Sequence, residues 1–185
     1  MCPQGGRVES LGKLFYPRIR DPIHEHADRG PYDPAKLELG GYWSTYWYNG
    51  YIYGSEILRG LDIFELKPSG SISQNEIDAA KSVHLDYFNT QGQVKFTWPK
   101  TYSLARAYLD QLERSKPGEA GKLAEFRNAL DRAEKAPEAE QRHALNQLAT
   151  RLEAEAGGAG DPAKMRTLAG TVRQLATESR LARGQ

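Results

Sequence analysis

Between Tyr42 and Tyr53 the chain places seven of its 18 aromatic residues, with the pair Asn49-Gly50 in their midst. That combination leaves little choice of local structure. Aromatic side chains suit a pleated, half-buried surface. Asn-Gly between two such runs is the strongest short-range hairpin signal, because a type I′ turn needs positive φ at both central residues. Tyr42-Trp43-Ser44-Thr45-Tyr46-Trp47-Tyr48 therefore reads as one strand, and Tyr51-Ile52-Tyr53-Gly54-Ser55-Glu56-Ile57 as its return. Arg59-Gly60 makes another turn. Leu61-Asp62-Ile63-Phe64-Glu65-Leu66 then alternates apolar and acidic residues for most of its length, the pattern of a strand with one wet face. The three strands form an antiparallel meander. Residues 7–16 read as a further strand, interrupted at Gly12.

A meander of this size does not stand easily by itself. Burying one large apolar side chain stabilises by about 1.5–3 kcal/mol, while ordering each residue's backbone costs about 1–2 kcal/mol. One sheet buries one face and leaves two edges open. These strands require neighbours: more β-structure, another chain, or the helices downstream.

The second half of the chain has a different composition. No aromatic residue follows Phe126, and Ala, Glu and Arg dominate, residues that favour helices. The main boundary falls in the turn-rich cluster Lys67-Pro68-Ser69-Gly70. Ser73 with Glu76 forms a capping box that starts a helix at Gln74. Ile77, Ala80, His84 and Tyr87 would share its face. Trp98-Pro99 opens a second helix, with Leu104, Tyr108 and Leu112 on its buried side. Three more helices follow, opened by Pro117, Pro137 and Pro162, with Ser115 and Asp161 as N-caps. Leu123, Phe126, Leu130 and Ala133 mark the first stripe. Leu145, Leu148 and Leu152 mark the second. Met165, Leu168, Val172 and Leu175 mark the third. Such narrow stripes pack helix on helix at a shallow angle. The glycine-rich residues 157–160 stop one helix before the last begins. The predicted fold class is α+β: an N-terminal antiparallel β-meander, a single incomplete propeller-like blade, followed by a C-terminal antiparallel helical bundle. The predicted domains are a partial blade region at 1–70, a helical connector at 71–116 and a three-helix bundle at 117–185.

The run from Gly40-Gly41-Tyr42-Trp43 through Asn49-Gly50-Tyr51 to Ser55-Glu56, followed by Arg59-Gly60-Leu61-Asp62-Ile63-Phe64, resembles the last blade of bacterial LVIVD-repeat β-propeller proteins. Those proteins commonly end in a strand, a short hairpin and an arginine-glycine-leucine-aspartate-hydrophobic run. Residues 73–81, Trp98-Pro99 and Ala105-Arg106-Ala107-Tyr108-Leu109 resemble the helical tail that follows the propeller in some members. The resemblance covers roughly residues 5–115 and is most specific at 40–66. Family propellers carry several blades, each a repeat of about 40–50 residues, and this chain has at most one blade and a strand of another. The resemblance thus implies the C-terminal piece of a longer, exported protein, hence an extracytoplasmic place. A truncation would also account for the absence of signal-peptide character in residues 1–6.

Candidate sites are few. His24, His26 and Asp28 offer three metal ligands at i, i+2 and i+4, but Pro22, Gly30, Pro31 and Pro34 surround them. They read as a solvated loop, since a metal site needs three or four ligands converging in space. The sequence assigns no metal, no cofactor and no catalytic residue. Arg59, Asp62 and Glu56 read as a pairing that fixes the last turn of the meander, because no nucleophile or perturbed acid accompanies them. The aromatic run reads as a packing surface between blades rather than a platform for sugars or bases. Nucleic acid is disfavoured as a partner: net charge is +1, and Arg59 is the sole basic residue between Lys36 and Lys67. No run approaches a membrane span. Cys2 is the sole cysteine, so no internal disulfide forms. The expected function is a non-catalytic interaction or scaffold module with a protein partner, either the missing blades or another chain. The alternatives are a fragment of a metal-dependent propeller hydrolase and a carbohydrate or small-ligand module using the aromatic face.

Overall fold

Asn49 and Gly50 both carry positive φ, 48° and 91°, so the Asn-Gly turn forms as its residue types require. The computed structural model describes residues 15–18, 41–57, 60–92, 95–115 and 120–181. Four strands precede the helices: β1 (Phe15–Arg18), β2 (Tyr42–Tyr48), β3 (Tyr51–Glu56) and β4 (Gly60–Leu66). They form one antiparallel sheet in the order β1-β4-β3-β2. Five α-helices follow: α1 (Gln74–Lys81), α2 (Tyr102–Ser115), α3 (Ala120–Lys135), α4 (Glu138–Ala156) and α5 (Pro162–Leu181). The chain is an α+β protein, an N-terminal meander followed by a helical part, as the sequence implies. Of the further strand expected at 7–16, residues 7–14 lie outside the described ones. Phe15–Arg18 pairs with β4, opposite Leu66 and Phe64.

The backbone separates into two units: Met1–Ile72 with Val83–Phe96, and Ser73–Ser82 with Thr97–Gln185. In the first unit, register sets six rows across β2, β3 and β4, three of which matter most here. Trp47, Ile52 and Phe64 lie opposite one another. So do Tyr46, Tyr53 and Ile63, and so do Thr45, Gly54 and Asp62. Tyr42 pairs with Glu56 while Ser44 pairs with Ser55, which leaves Trp43 as the extra residue of a β-bulge. The segment after α1 returns to the hairpin. Asn49 accepts from the Leu85 N–H (2.8 Å) and donates to the Leu85 carbonyl (3.0 Å), to which the Tyr48 hydroxyl also donates (2.9 Å). Phe88 stacks on Tyr48, and Phe96 meets Trp47 edge-on.

In the second unit the expected stripes face inward. Phe126, Leu130, Leu145, Leu152, Met165 and Val172 are all at most 2% exposed and belong to one core. Ala105, Leu109 and Leu112 of α2 join that core. Arg106 ties α2 to α3 through Asp131 (2.6 Å) and Glu134. The capping box is present: Ser73 accepts from the Glu76 N–H, and Glu76 accepts from the Ser73 N–H. Asp161 caps α5 by accepting the Lys164 N–H at 2.9 Å.

Three helix boundaries differ from expectation. α1 stops at Lys81, so His84 and Tyr87 do not extend its face, and Tyr87 is 80% exposed. The reason lies in the hairpin turn. Asn49 engages both backbone groups of Leu85, which a continuing helix would need for itself. Trp98-Pro99 does not open α2. The residue before proline avoids helical φ/ψ, and Thr101 caps the helix instead by accepting the Leu104 N–H at 3.1 Å. Ser115 is the last residue of α2 and not an N-cap; its hydroxyl donates back to the Gln111 carbonyl. Pro117 lies outside the described residues. Pro137 holds the N-cap position of α4, and Pro162 is the first residue of α5.

Candidate functional site

Every residue of β2, β3 and β4 is described, and none of their apolar side chains is buried. The sheet's exposed surface is aromatic. Trp43 is 75% exposed, Tyr42 and Tyr46 are 42% exposed, and Leu61 is 43% exposed. The bulge sets Trp43 outside the regular alternation of β2. The other rings of the run, Trp47, Tyr48, Tyr51 and Tyr53, are half-buried. Tyr48 and Trp47 owe part of that cover to Phe88 and Phe96.

The side chains that are buried in the sheet are carboxylates. Glu56 is 4% and Asp62 3% exposed. This reverses the expectation of a wet acidic face on β4, where Asp62 points inward and Leu61 outward. The cause lies across the sheet. The Tyr42 hydroxyl donates to Asp62 Oδ2 at 2.7 Å, and the Gly41 N–H donates to Glu56 Oε1 at 3.0 Å. The two carboxylates thus fix the start of β2, Glu56 from the adjacent β3 and Asp62 from β4 beyond it. Buried carboxylates are tolerated when such donors converge on them. Arg59, expected to pair with both, lies outside the described residues.

Gly54 makes this arrangement possible. A Cβ there would lie 2.7 Å from Cδ1 and Cε1 of Tyr42 and 3.3 Å from Cε2 of Phe64. The Tyr42 ring therefore crosses the strand over bare backbone and meets Phe64 edge-on at 5.8 Å. Residue-by-residue reading of the sequence passes over this trio. Its signal is a glycine inside an otherwise aromatic strand, which marks a close approach.

Both carboxylates are engaged at the start of β2, through Gly41 and Tyr42. Among the described residues no group of three or more His, Cys, Asp or Glu is arranged to hold a metal ion. His24, His26 and Asp28 lie outside those residues. In the helical unit, an open groove of about 370 Å³ has a floor of Ala129, Ala133 and Ala144 with Arg132 and Arg151 beside it. Its polar lining is completed by Glu140 and Gln147. No described helix is long and apolar enough to cross a membrane. Comparison with family models, curated proteins and solved structures finds no match.

Proposed function

We propose that the sheet is a terminal propeller-type blade and that the chain acts as a non-catalytic interaction module outside the cytoplasm. Its partner is further β-structure that packs on the aromatic surface. The observation that carries this reading is the contrast between the two units. The helical unit has a closed core, while β2, β3 and β4 bury no apolar side chain and expose Trp43, Tyr42 and Tyr46. A four-stranded antiparallel sheet is the size of one propeller blade, and blades are stabilised by their neighbours. The resemblance of residues 40–66 to the last blade of LVIVD-repeat proteins supports the same partner, as does the extracytoplasmic place implied by that family.

Complementation in trans tests this. An LVIVD-repeat propeller lacking its last blade, mixed with this chain, is expected to give a stable complex by size-exclusion chromatography. Trp43 fluorescence is then expected to become protected from acrylamide. A Trp43→Ser, Tyr46→Ser double variant is expected to lose the complex. Absence of any complex, with Trp43 quenching unchanged, would contradict the proposal. A second reading, a sugar ring stacked on the Trp43 indole, is favoured by that residue's exposure of 75%. It is tested by tryptophan emission during titration with a glycan panel; no change in emission would exclude it.

A further inference from the structure

α1 is attached to the helical unit differently from the other helices. Its Ala79 meets Leu104 and Ala107 of α2, beside half-buried Tyr108, in a cluster separate from the main core. That core draws on α2, α3, α4 and α5 and takes nothing from α1. Ile77 of α1 is buried as well, at 2% exposed, and polar contacts complete the attachment. Glu76 Oε1 accepts from Gln111 Nε2 at 2.8 Å and from Arg114 at 2.7 Å. Asn75 donates to Asp110 Oδ2 at 2.8 Å, and Asp110 pairs with Arg127 of α3 at 2.7 Å. With eight residues, α1 is too short to remain helical without these contacts. The chain path gives the helix further importance. The chain passes between the two units at 72–73, 82–83 and 96–97, and the first two crossings flank α1.

We infer that α1 is a detachable latch: it leaves the helical unit as one piece while α2 to α5 stay folded, and its release leaves 96–97 as the sole crossing anchored in a folded helical unit. Elements held by few buried apolar side chains open ahead of the global transition; α1 buries two, Ile77 and Ala79, where α2 buries five and α3 four. The inference is independent of the blade reading, since it rests on the contacts of α1 and on the chain path.

Hydrogen exchange on the intact chain tests it. Amides of residues 77–81 are expected to exchange through an opening nearly insensitive to low denaturant, while those of α4 and α5 follow the global transition. Arg114→Ala leaves the Ser73–Glu76 cap in place and removes one docking contact. It is expected to speed exchange at 77–81 about tenfold or more without altering α4 and α5. Glu76→Ala, which removes cap and dock together, is expected to do so further. Trypsin gives a second readout: cleavage after Lys81 is expected to rise in both variants, with the product retaining the helical signal of α2 to α5. Equal acceleration across all five helices, or no response at 77–81 in either variant, would overturn the inference.

Discussion

At the scale of single residues, Gly54 and Asp62 show how one small and one charged side chain decide the geometry of the sheet. Gly54→Ala brings a Cβ into the Tyr42 ring, and relief requires moving that ring away from Asp62. The expected loss is about 1–3 kcal/mol, typical of overpacking. Tyr42→Phe keeps the ring and removes the hydroxyl from Asp62; leaving that buried oxygen without its donor costs about 1–3 kcal/mol. Urea titration followed by tryptophan emission measures both. Changes within about 0.5 kcal/mol, the range of ordinary surface substitutions, would show that the trio does not organise the sheet. The sequence makes Asp62 look like a solvent-facing residue because alternation reports a face and not which face is wet. What turns Asp62 inward is a hydroxyl twenty residues earlier in the chain, and no local pattern encodes that pairing.

At the scale of elements, helix interiors were legible in the sequence and helix ends only in part. Apolar spacing located the buried faces of α3, α4 and α5, because packing against neighbouring helices requires that periodicity. Ends depend on which group captures each unpaired N–H or carbonyl. The capping box at Ser73 and the cap at Asp161 are contained within four residues, so they could be read directly. The end of α1 depends on Asn49, and the start of α2 on Thr101 in preference to Pro99. Asp161→Ala is expected to cost about 1 kcal/mol, measured as a lowered midpoint of the helical transition at 222 nm; an unchanged midpoint would show the cap to be dispensable.

The attachment of α1 has a pH dependence of known sign. Burial pushes the Glu76 carboxyl up, but hydrogen bonds from Arg114, the Ser73 N–H and Gln111 together outweigh it and hold the group below its ordinary value. A carboxyl depressed in the folded state stabilises fully above its unfolded pKa. That contribution is lost as pH falls through the folded value. Helical ¹³Cα shifts of residues 74–81 are thus expected to hold from pH 8 to 5 and to decline below about pH 4.5, ahead of those of α4. A decline at neutral pH, or none before the core melts, would contradict the assignment of Glu76 as the docking group.

At the scale of the whole molecule, the turn-rich cluster Lys67-Pro68-Ser69-Gly70 anticipates the passage from sheet to helices. The order of strands, β1 beside β4 rather than beside β2, is not visible in residue spacing, because sheet neighbours are chosen by long-range pairing. Among the described residues, the unequal burial of the helical core and of β2, β3 and β4 is the central physical fact. Eighteen buried residues form the main helical core, enough to stabilise that unit by itself; three strands without one buried apolar side chain have no such reserve. Sheet and helices are therefore expected to differ in local stability, and the proposed partner would narrow that difference by covering the aromatic surface. Native-state hydrogen exchange on the monomeric chain measures this most directly. The expected result is weak protection across β2, β3 and β4 beside strong protection in α4 and α5, with sheet protection rising when a partner is bound. A monomer whose sheet amides are protected as strongly as those of α4 and α5 would contradict it.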